Sequence, residues 1–477
     1  MKRDQLVDMI GQAPDAYVRD AKEAPQKQRK ARRIRWFGSI AAVLAVVMVF
    51  NLPAMPLILK AKAVSEPTAS RRPTHADFQG EIFDHEGFEQ MRAERDAILD
   101  DAVPAIAAFT GDVASYSLIG TDSENRLFSP INAYIGLAMT AELVGGNSQT
   151  QLYDVLGAPS EDVLRTRIST VWEQVEDTRN GSERCTIANA LWLDRDVSYV
   201  QETMDDIAYY YYASVYEGDL GSSRTERDMT AWMKHHTGGM IKDRQPTDMD
   251  SEDQLLTLTS AIYFRSKWHN EFDASQNSTD TFHAYDGDIT CTFMNKQQAH
   301  MYYFWEEDFG AVSMGLKNGS TMWFLLPDED KTVNDVLDGA DFVDGITRDS
   351  HYSEESSNSK YMKVNLSVPQ FDVSSSADLK EALQAMGVKD IFDPDSADFS
   401  PSIVSTPEKP PYITAVHQDV RVKIDEKGVT AAAYIEIPGA GAAAPPEEVI
   451  DFVLDRPFVF AVTKSQIPLF VGTVNCP

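Results

Sequence analysis

The amino-acid sequence predicts an α+β fold with buried strands, core-packed helices and one exposed loop. Three observations lead to this fold class. Leu255–Phe264 is a continuous apolar and Thr-rich run, which is typical of a strand covered on both faces. Gly87–Ala114 carries a rough apolar stripe, which is typical of a helix on a core. Val429–Gly439 alternates residue by residue, with only small or apolar side chains on one face, so it predicts a half-buried strand.

The chain of 477 residues is acidic, with a net charge of −31. Residues 1–63 hold 12 Lys and Arg against 5 Asp and Glu, so this part carries +7 and residues 64–477 carry −38. An acidic body disfavours nucleic acid and anionic lipid as partners. The hydrophobic content of 43% is ordinary for a globular domain. We expect a globular body that acts as a monomer without a nucleic-acid partner.

The N-terminal region predicts export of this body. Residues 1–35 form a cytoplasmic segment ending in the basic run Lys27–Arg35, and the uncharged stretch Trp36–Leu59 follows. About 20 apolar residues span a bilayer, and flanking basic residues stay in the cytoplasm. Residues 36–59 therefore predict a single-pass transmembrane anchor in the cell membrane, with the body outside. Ala61–Ala63 is also a small-x-small site, so a cleaved signal and a secreted body are the alternative.

Residues 60–95 are predicted to link this segment to the folded domain, which we assign to residues 96–477. The stretch from Val64 to about Asp84 is polar, contains two prolines and shows little periodicity, as is typical of a tether.

The stretch Ile424–Phe458 combines a predicted strand with a predicted loop. The alternating run is followed by Gly439–Pro446, whose small and flexible residues suit an exposed loop that can enter the substrate cleft of a protease. Glu426-x-Gly428 before the run, and Arg456–Phe460 and Pro468–Gly472 after it, resemble the reactive-centre loop and C-terminal strands of a serpin, a serine protease inhibitor.

Further motifs extend the resemblance over residues 100–477. They are Phe128–Asn132, Asn189–Leu193, Thr237–Ile241 and Ser260–Trp268. Together with the N-terminal segment, the chain resembles bacterial membrane-anchored or secreted serpins.

The resemblance implies a fold with three β-sheets, one of them large and mixed, about eight or nine helices and an exposed reactive-centre loop. It also implies a suicide inhibitor whose partners are serine proteases. The protease cleaves the loop, and the freed part inserts into the large sheet as a central strand that carries the attached protease along. By this resemblance the hinge comprises Glu426, Gly428, Val429, Thr430, Ala431, Ala432 and Ala433.

The composition of the hinge favours inhibition. Side chains that enter the sheet must be uncharged, because a buried unpaired charge is costly, and Val429–Ala433 meet this condition. Pro438 lacks an N–H and is expected to slow completion of the strand. Ser260 stands where the family has asparagine and can make fewer hydrogen bonds. The alternative is a non-inhibitory serpin-fold protein that binds partners at the surface.

The usual serpin spacing from Glu426 places the reactive bond at Ala442–Ala443. Alanine offers one methyl group, which fits the shallow pocket of elastase-like proteases, while subtilisin-like enzymes also accept small residues. Trypsin-like enzymes would lack a partner for the charge in their pocket.

The resemblance also assigns residues that control sheet opening. Ser129 and Asn132 take polar positions beneath the sheet, and Trp268 lies where the loop first enters. His417 falls where serpins place a histidine in the shutter region, within reach of Ser129 or Asn132. Its spacing to Glu426 is one residue longer than the family pattern, which allows a bulge. Helix capping is the alternative role of Ser129 and Asn132.

An enzymatic function has little support. Ser357–Lys360 matches Ser-x-x-Lys, but no Lys-Thr-Gly follows it. His235 and His236 lack carboxylates at ligand spacing. The three cysteines form no metal or disulfide pattern; they are Cys185, Cys291 and Cys476. The sequence predicts no catalytic residue, no metal site and no cofactor.

Overall fold

The structure is a computed structural model that describes residues 57, 59–67, 77, 84–120, 123–180, 183–239, 255–339, 341–348, 358–404, 410–414, 416–429 and 448–477. For residues 178–180 and 417 it describes the backbone alone. The elements below belong to one compact unit, Leu59–Pro477. The predicted anchor, apart from Leu57 and Leu59, lies outside the described residues. Within the described ranges, no helix is both long and apolar enough to cross a bilayer.

Nine helices occur among the described residues. They are α1 (His85–Ser117), α2 (Pro130–Leu143), α3 (Gly146–Val155), α4 (Glu161–Val175), α5 (Gln201–Tyr210), α6 (Ser223–His236), α7 (Val333–Asp338), α8 (Asp341–Thr347) and α9 (Lys380–Ala385). Helix α1 extends the predicted Gly87–Ala114 at both ends. It begins after Asp84, whose carboxylate accepts a hydrogen bond from the Gly87 N–H at 3.0 Å, as an N-cap residue does.

The large sheet is mixed, as predicted. Its strands are β1 (Lys62–Ser65), β3 (Asp177–Asn180), β4 (Glu183–Asp194), β5 (Ala213–Gly218), β6 (Leu256–Lys267), β12 (Phe371–Asp378), β13 (His417–Asp425) and β14 (Gly428–Val429). Their order is β1-β5-β4-β6-β14-β13-β12, with β3 beside β4. The pair β4–β5 is parallel and the other pairs are antiparallel.

The remaining described strands form a second sheet. They are β2 (Arg126–Phe128), β7 (Ser278–Ala284), β8 (Gly287–Trp305), β9 (Phe309–Gly315), β10 (Ser320–Pro327), β11 (Ser359–Pro369), β15 (Val449–Val453), β16 (Phe458–Lys464) and β17 (Ile467–Val474). Their order is β15-β11-β8-β9-β10-β16-β17-β2, with β7 beside β8. The 19-residue strand β8 pairs with β7, β11 and β9, so two predicted smaller sheets form one hydrogen-bonded network in the described chain.

Helix α2 lies in the core between β6 of the large sheet and β17 of the second sheet. All of its residues except Gly136 are buried. It begins at Pro130, whose missing N–H costs nothing in the first turn, as the sequence predicts. Because the first turn faces both sheets, Ser129 and Asn132 are positioned to contact strands from each.

Tyr212, the last of four consecutive tyrosines at the end of helix α5, has a packing role. Helix α5 ends at Tyr210, and Tyr212 adopts a left-handed φ of 51° just beyond its end. Its ring stacks on Trp172 with centroids 3.9 Å apart, and its hydroxyl donates to the Glu173 carboxylate at 2.6 Å.

Strand β1 lies within residues 60–95, whose composition predicts a linker. It pairs with β5 at the edge of the large sheet, with Lys62 opposite Glu217 and Ala63 opposite Tyr216. The backbone N–H groups of Lys60 and Ala61 both donate to one carboxylate oxygen of Asp228 on α6, each at 2.9 Å. These residues are therefore part of the folded body.

Candidate functional site

The start of the predicted hinge is already a strand of the large sheet. Gly428 and Val429 form β14, which lies between β6 and β13. Val429 pairs with Ser266 on one side and with Ile424 on the other. The Val429 side chain is 2% exposed, so it is part of the core. At this end of the sheet, the gap between β6 and β13 is therefore already filled by the first two residues of a central strand.

Only glycine fits at position 428. Its φ of 151° lies in a region that other L-residues rarely adopt. A Cβ there would stand 2.3 Å from the Ser266 carbonyl oxygen and 2.5 Å from the Lys267 Cα. Gly428 therefore lets the chain turn from β13 into the sheet against the backbone of β6.

Glu426 fastens the turn before the hinge. Its carboxylate accepts hydrogen bonds from the side-chain amides of Gln370, at 2.7 Å, and Asn277. Its carbonyl oxygen accepts from the Phe272 N–H at 2.9 Å. These two charge-assisted hydrogen bonds hold Glu426 in place just before the loop begins.

Trp268 contacts the two residues on either side of Glu426, at the start of the predicted hinge. The side chain is fully buried, and its indole Nε1 donates to the Asp425 carbonyl at 2.8 Å. Its backbone N–H donates to the Lys427 carbonyl at 3.1 Å. Trp268 thus holds both residues that flank Glu426.

The neighbouring Lys267 brings a charge to this end of β6. It lies opposite Gly428 in the register. Burial lowers the pKa of its ammonium group, and the nearby Glu271 carboxylate opposes that effect.

Ser129 connects α2 to β13 and β17. Its N–H donates to Gln418 Oε1 at 2.8 Å, and Gln418 Nε2 donates to the Ser129 carbonyl at 2.9 Å. Its hydroxyl donates to the Leu469 carbonyl at 2.6 Å and makes no capping bond to the helix. Ser129 occupies the N-cap position of α2, while its side chain binds a strand.

Asn132 connects the same helix turn to β6. The Ser260 hydroxyl lies 3.0 Å from Asn132 Oδ1 and 2.7 Å from Asn189 Oδ1 on β4. A hydroxyl has one proton, so it donates to one of these oxygens at a time. Asn189 Nδ2 donates to the Tyr211 carbonyl at 3.1 Å. The Ser260 hydroxyl therefore lies between the amides of Asn132 and Asn189, whose two oxygens share its single proton.

The contact predicted for His417 is made by Gln418. The backbone of His417 pairs with Asp378, and the register of β13 with β12 runs without a shift from there to Ile424. The His417 side chain lies outside the described residues. Even-numbered residues of β13 are buried, and Gln418 among them contacts Ser129 at the start of α2. The sequence held a signal for this assignment. The spacing from His417 to Glu426 is one residue longer than the family pattern, so Gln418 has the expected spacing.

The rest of the predicted hinge and the reactive bond lie outside the described residues. These are Thr430, Ala431, Ala432, Ala433, Ala442 and Ala443. Of the predicted residues, the structure brings Glu426, Gly428, Val429 and Trp268 together at one end of the β6–β13 gap. It places Ser129 and Asn132 together further along that gap. Among the described residues, no group of three or more potential metal ligands occurs.

A family model described as "Serpin (serine protease inhibitor)" matches residues 105–477. The chain is similar to Serpin-ZX of Arabidopsis thaliana, with 25% identity over 75% of this chain and 93% of that protein. An uncharacterized serpin-like protein of Thermococcus kodakarensis is 27% identical over 79% of this chain and 85% of its own length. These two relatives are plant and archaeal, so they do not support the predicted bacterial grouping.

Solved structures show the same architecture. The native state of the thermophilic serpin Tengpin aligns with a TM-score of 0.68 and 25% identity, covering 87% of this chain and 97% of that chain. AtSerpin1 of Arabidopsis, in its native stressed conformation, aligns with a TM-score of 0.67 over 80% of this chain and 98% of that chain. At 22% identity, the second comparison shows the fold alone.

Proposed function

Because the chain belongs to the serpin family of serine protease inhibitors, we propose that it is an inhibitory member that traps its target by loop insertion. The freed loop would enter the large sheet between β6 and β13. The observation that carries this proposal is β14, which already occupies the first two positions of that strand, with Val429 in the core.

The register of β14 predicts which side chains face the core after insertion. Continuing its pairs places Ala431 opposite Phe264 and Val422, because the residue numbers of partners keep a constant sum along antiparallel strands. The same rule places Ala433 two positions further along the core face. Phe264 and Val422 are both buried, so this face accepts only small or apolar residues.

Further along, the register brings Ile435 between Ser260 and Gln418. These two side chains bind Asn132 and Ser129 at the first turn of α2. Insertion therefore separates two strands that are both held by one helix. The small side chains at 431 and 433 reach the gap first, and the bulky Ile435 reaches the polar pairs afterwards.

For the target, we propose an elastase-like serine protease, with subtilisin-like enzymes as the second class. The support is the sequence around Ala442–Ala443, where each residue from Ala440 to Ala444 is alanine or glycine. A methyl group fits a shallow primary pocket and gives no partner to the buried charge of a trypsin-like pocket.

The experiment is an incubation of the purified chain with an elastase-type enzyme, a subtilisin-type enzyme and trypsin. A denaturing gel should show a covalent complex with the first, and mass spectrometry should find a released C-terminal peptide beginning at Ala443. Complete loop cleavage by every enzyme without any complex would favour the non-inhibitory binding protein. A complex with trypsin alone would overturn the target class.

We also propose that the body stays joined to the N-terminal segment and is held outside the cell at the membrane. Cleavage after Ala63 would remove the two N–H groups that bind Asp228 and the Lys62–Glu217 ion pair at 3.2 Å. The retained strand β1 supports an uncleaved anchor over a secreted form. The N-terminal peptide from the membrane fraction of producing cells should precede Lys60, and a mature start at Val64 would contradict the proposal.

A further inference from the structure

One face of the second sheet carries two adjoining tyrosines, of which Tyr361 is exposed and Tyr302 is partly buried against the core. Tyr302 on β8 pairs with Tyr361 on β11, and their ring centroids lie 5.1 Å apart. In the next row, Lys363 pairs with His300 on one side and Val449 on the other. Residues two apart on a strand, and residues directly opposite, share a face. We call these five side chains the tyrosine face.

The two faces of this part of the sheet differ sharply in burial. On the opposite face Met362, Val364 and Phe452 are at most 8% exposed. On the tyrosine face, Tyr361 is 46% exposed and Val449 is 48% exposed. Large exposed apolar groups that adjoin one another mark interaction sites more often than isolated ones do.

The tyrosine face is bounded along β8. Phe304 shares its side of the strand but is 2% exposed, and the Arg348 guanidinium lies 5.1 Å from its ring centroid. The exposure is therefore local to the rows of Tyr302 and His300.

This face lies where the chain returns from the loop. Residues 430–447 lie outside the described residues, and the described chain resumes at Glu448. The Lys363 N–H donates to the Glu448 carbonyl at 3.1 Å, and Lys360 forms an ion pair with the Glu448 carboxylate. Val449, the first residue of β15, is thus the point at which the loop joins the tyrosine face.

The length of the undescribed segment limits how far a bound protease can stand from this face. Five residues lie between Ala443 and Val449, so the chain makes six residue-to-residue steps, which span at most about 20 Å when fully extended. A compact domain of only about 100 residues already has a radius of gyration of about 13 Å. A protease bound at the reactive bond therefore extends over distances that include the tyrosine face.

We propose that the tyrosine face is a second contact surface for the target protease, fitting an apolar patch beside that enzyme's substrate cleft. This inference rests on the proposed inhibitory function. Tyrosine rings supply large, rigid apolar area with a polar hydroxyl, and they are enriched at the centres of protein interfaces. The contact forms in the encounter complex before acylation, so it raises the rate of inhibition and leaves the partition between trapping and release unchanged.

The test uses the full chain and whichever protease of the panel forms the covalent complex. The second-order rate constant of inhibition should fall roughly tenfold in Tyr361→Ala, the size of loss expected at an interface hot spot. Tyr302→Ala should also lower it, whereas Tyr361→Phe keeps the ring and should retain most of the rate. Tyr116→Ala is the matched control, because Tyr116 is 55% exposed but lies on helix α1. The stoichiometry of inhibition should be the same for all variants, and melting temperatures confirm that each is folded.

Several results would overturn the inference. One is an unchanged rate in the double variant Tyr302→Ala/Tyr361→Ala. Another is a raised stoichiometry at an unchanged rate, which would place the effect on insertion. Self-association of the unsubstituted chain that Tyr361→Ala abolishes would make a second copy the occupant. If the unsubstituted chain traps no protease, the proposed function fails and this inference fails with it. Normal trapping at a rate insensitive to both tyrosines removes this inference alone.

Discussion

Gln418 binds both backbone polar groups of Ser129, accepting from its N–H at 2.8 Å and donating to its carbonyl at 2.9 Å. Both residues are buried. The pair fastens β13 to the first turn of α2, while Ser260 fastens β6 to Asn132 on the same turn. One helix terminus therefore holds both strands between which the loop is proposed to insert.

Replacing Gln418 should weaken this attachment. In Gln418→Ala the buried Ser129 N–H loses its partner, which costs about 1–3 kcal/mol, while the Ser129 carbonyl loses one of two bonds and keeps the Ala133 N–H at 3.1 Å. We expect the melting temperature of the intact protein to fall by several degrees. Arg421→Ala is the matched control, because Arg421 lies on the same strand in a partly exposed ion pair with Asp372, a kind of pair that contributes about 0–1 kcal/mol. Equal losses of melting temperature in both variants would show that the Gln418–Ser129 contact contributes no more to stability than the Arg421–Asp372 ion pair.

Gly428→Ala should expel β14 from the sheet. The added Cβ meets the Ser266 carbonyl oxygen at 2.3 Å, and alanine rarely adopts the φ found there. We expect a lower melting temperature and, on a denaturing gel, cleaved inhibitor in place of covalent complex. Gly136→Ala in helix α2 is the control, because no heavy atom lies within 4 Å of its added Cβ. An alanine there should be neutral or stabilising. Full trapping by Gly428→Ala would mean that β14 is not the starting point of insertion.

Two neighbouring hinge positions should respond differently to the same charge. If the inserted loop continues the register of Gly428 and Val429, residue 431 would lie on the core face and residue 432 on the outer face, opposite Tyr263 and Arg421. Ala431→Arg and Ala433→Arg should turn the inhibitor into a substrate, because an arginine would have to be buried without a partner. Ala432→Arg should still form complex, though more slowly beside Arg421. The measurement is the ratio of complex to cleaved chain on a gel. If Ala432→Arg lost trapping while Ala431→Arg kept it, the assignment of the two faces would be reversed.

Stability should depend on pH through Glu176. Burial raises the pKa of this carboxyl to about 7, and its carboxylate accepts from the Ile187 N–H at 3.0 Å. In the unfolded chain, the pKa of a glutamate is about 4.3. The folded state therefore binds the proton more tightly, and its stability falls as pH rises between these two values.

Glu176→Gln keeps the acceptor for Ile187 and removes the titration. Its melting temperature should exceed that of the unsubstituted chain at about pH 8 and approach it at about pH 5. The measurement is the melting temperature of both chains between about pH 5 and about pH 8. If the difference in melting temperature between the two chains did not change with pH, the pKa of Glu176 would not be raised in the folded protein.

The sequence predicts strand β6 and the start of helix α2 because their signals are local. The apolar run ending at Phe264 and the motif around Pro130 each depend on neighbouring residues alone. The resemblance assigns Trp268 to the point where the loop first enters the sheet, and in the structure its indole donates to the Asp425 carbonyl. Residues 430–447, which include the reactive bond, lie outside the described residues, so that bond stays a prediction.

What the sequence does not predict depends on pairing between distant strands. The contact of Gln418 with Ser129 depends on the register of β13 with β12, because a shift of one residue reverses every side chain of a strand. Strand β1 is a similar case. Lys62–Ser65 has no strand pattern of its own, and it is ordered by the free edge of β5 and by Asp228. Neither partner is near in sequence, so composition alone predicts a linker.

Loop insertion is the central claim, and the melting temperature before and after cleavage within residues 440–444 tests it most directly. A completed strand adds on the order of ten ladder hydrogen bonds at about 1 kcal/mol each, together with burial of Ile435 and Ile437. The intact form would then be metastable and held by a kinetic barrier. We predict a large rise in melting temperature on cleavage of the unsubstituted chain and no rise in Ala431→Arg. Equal melting temperatures for the intact and cleaved chains would contradict the account.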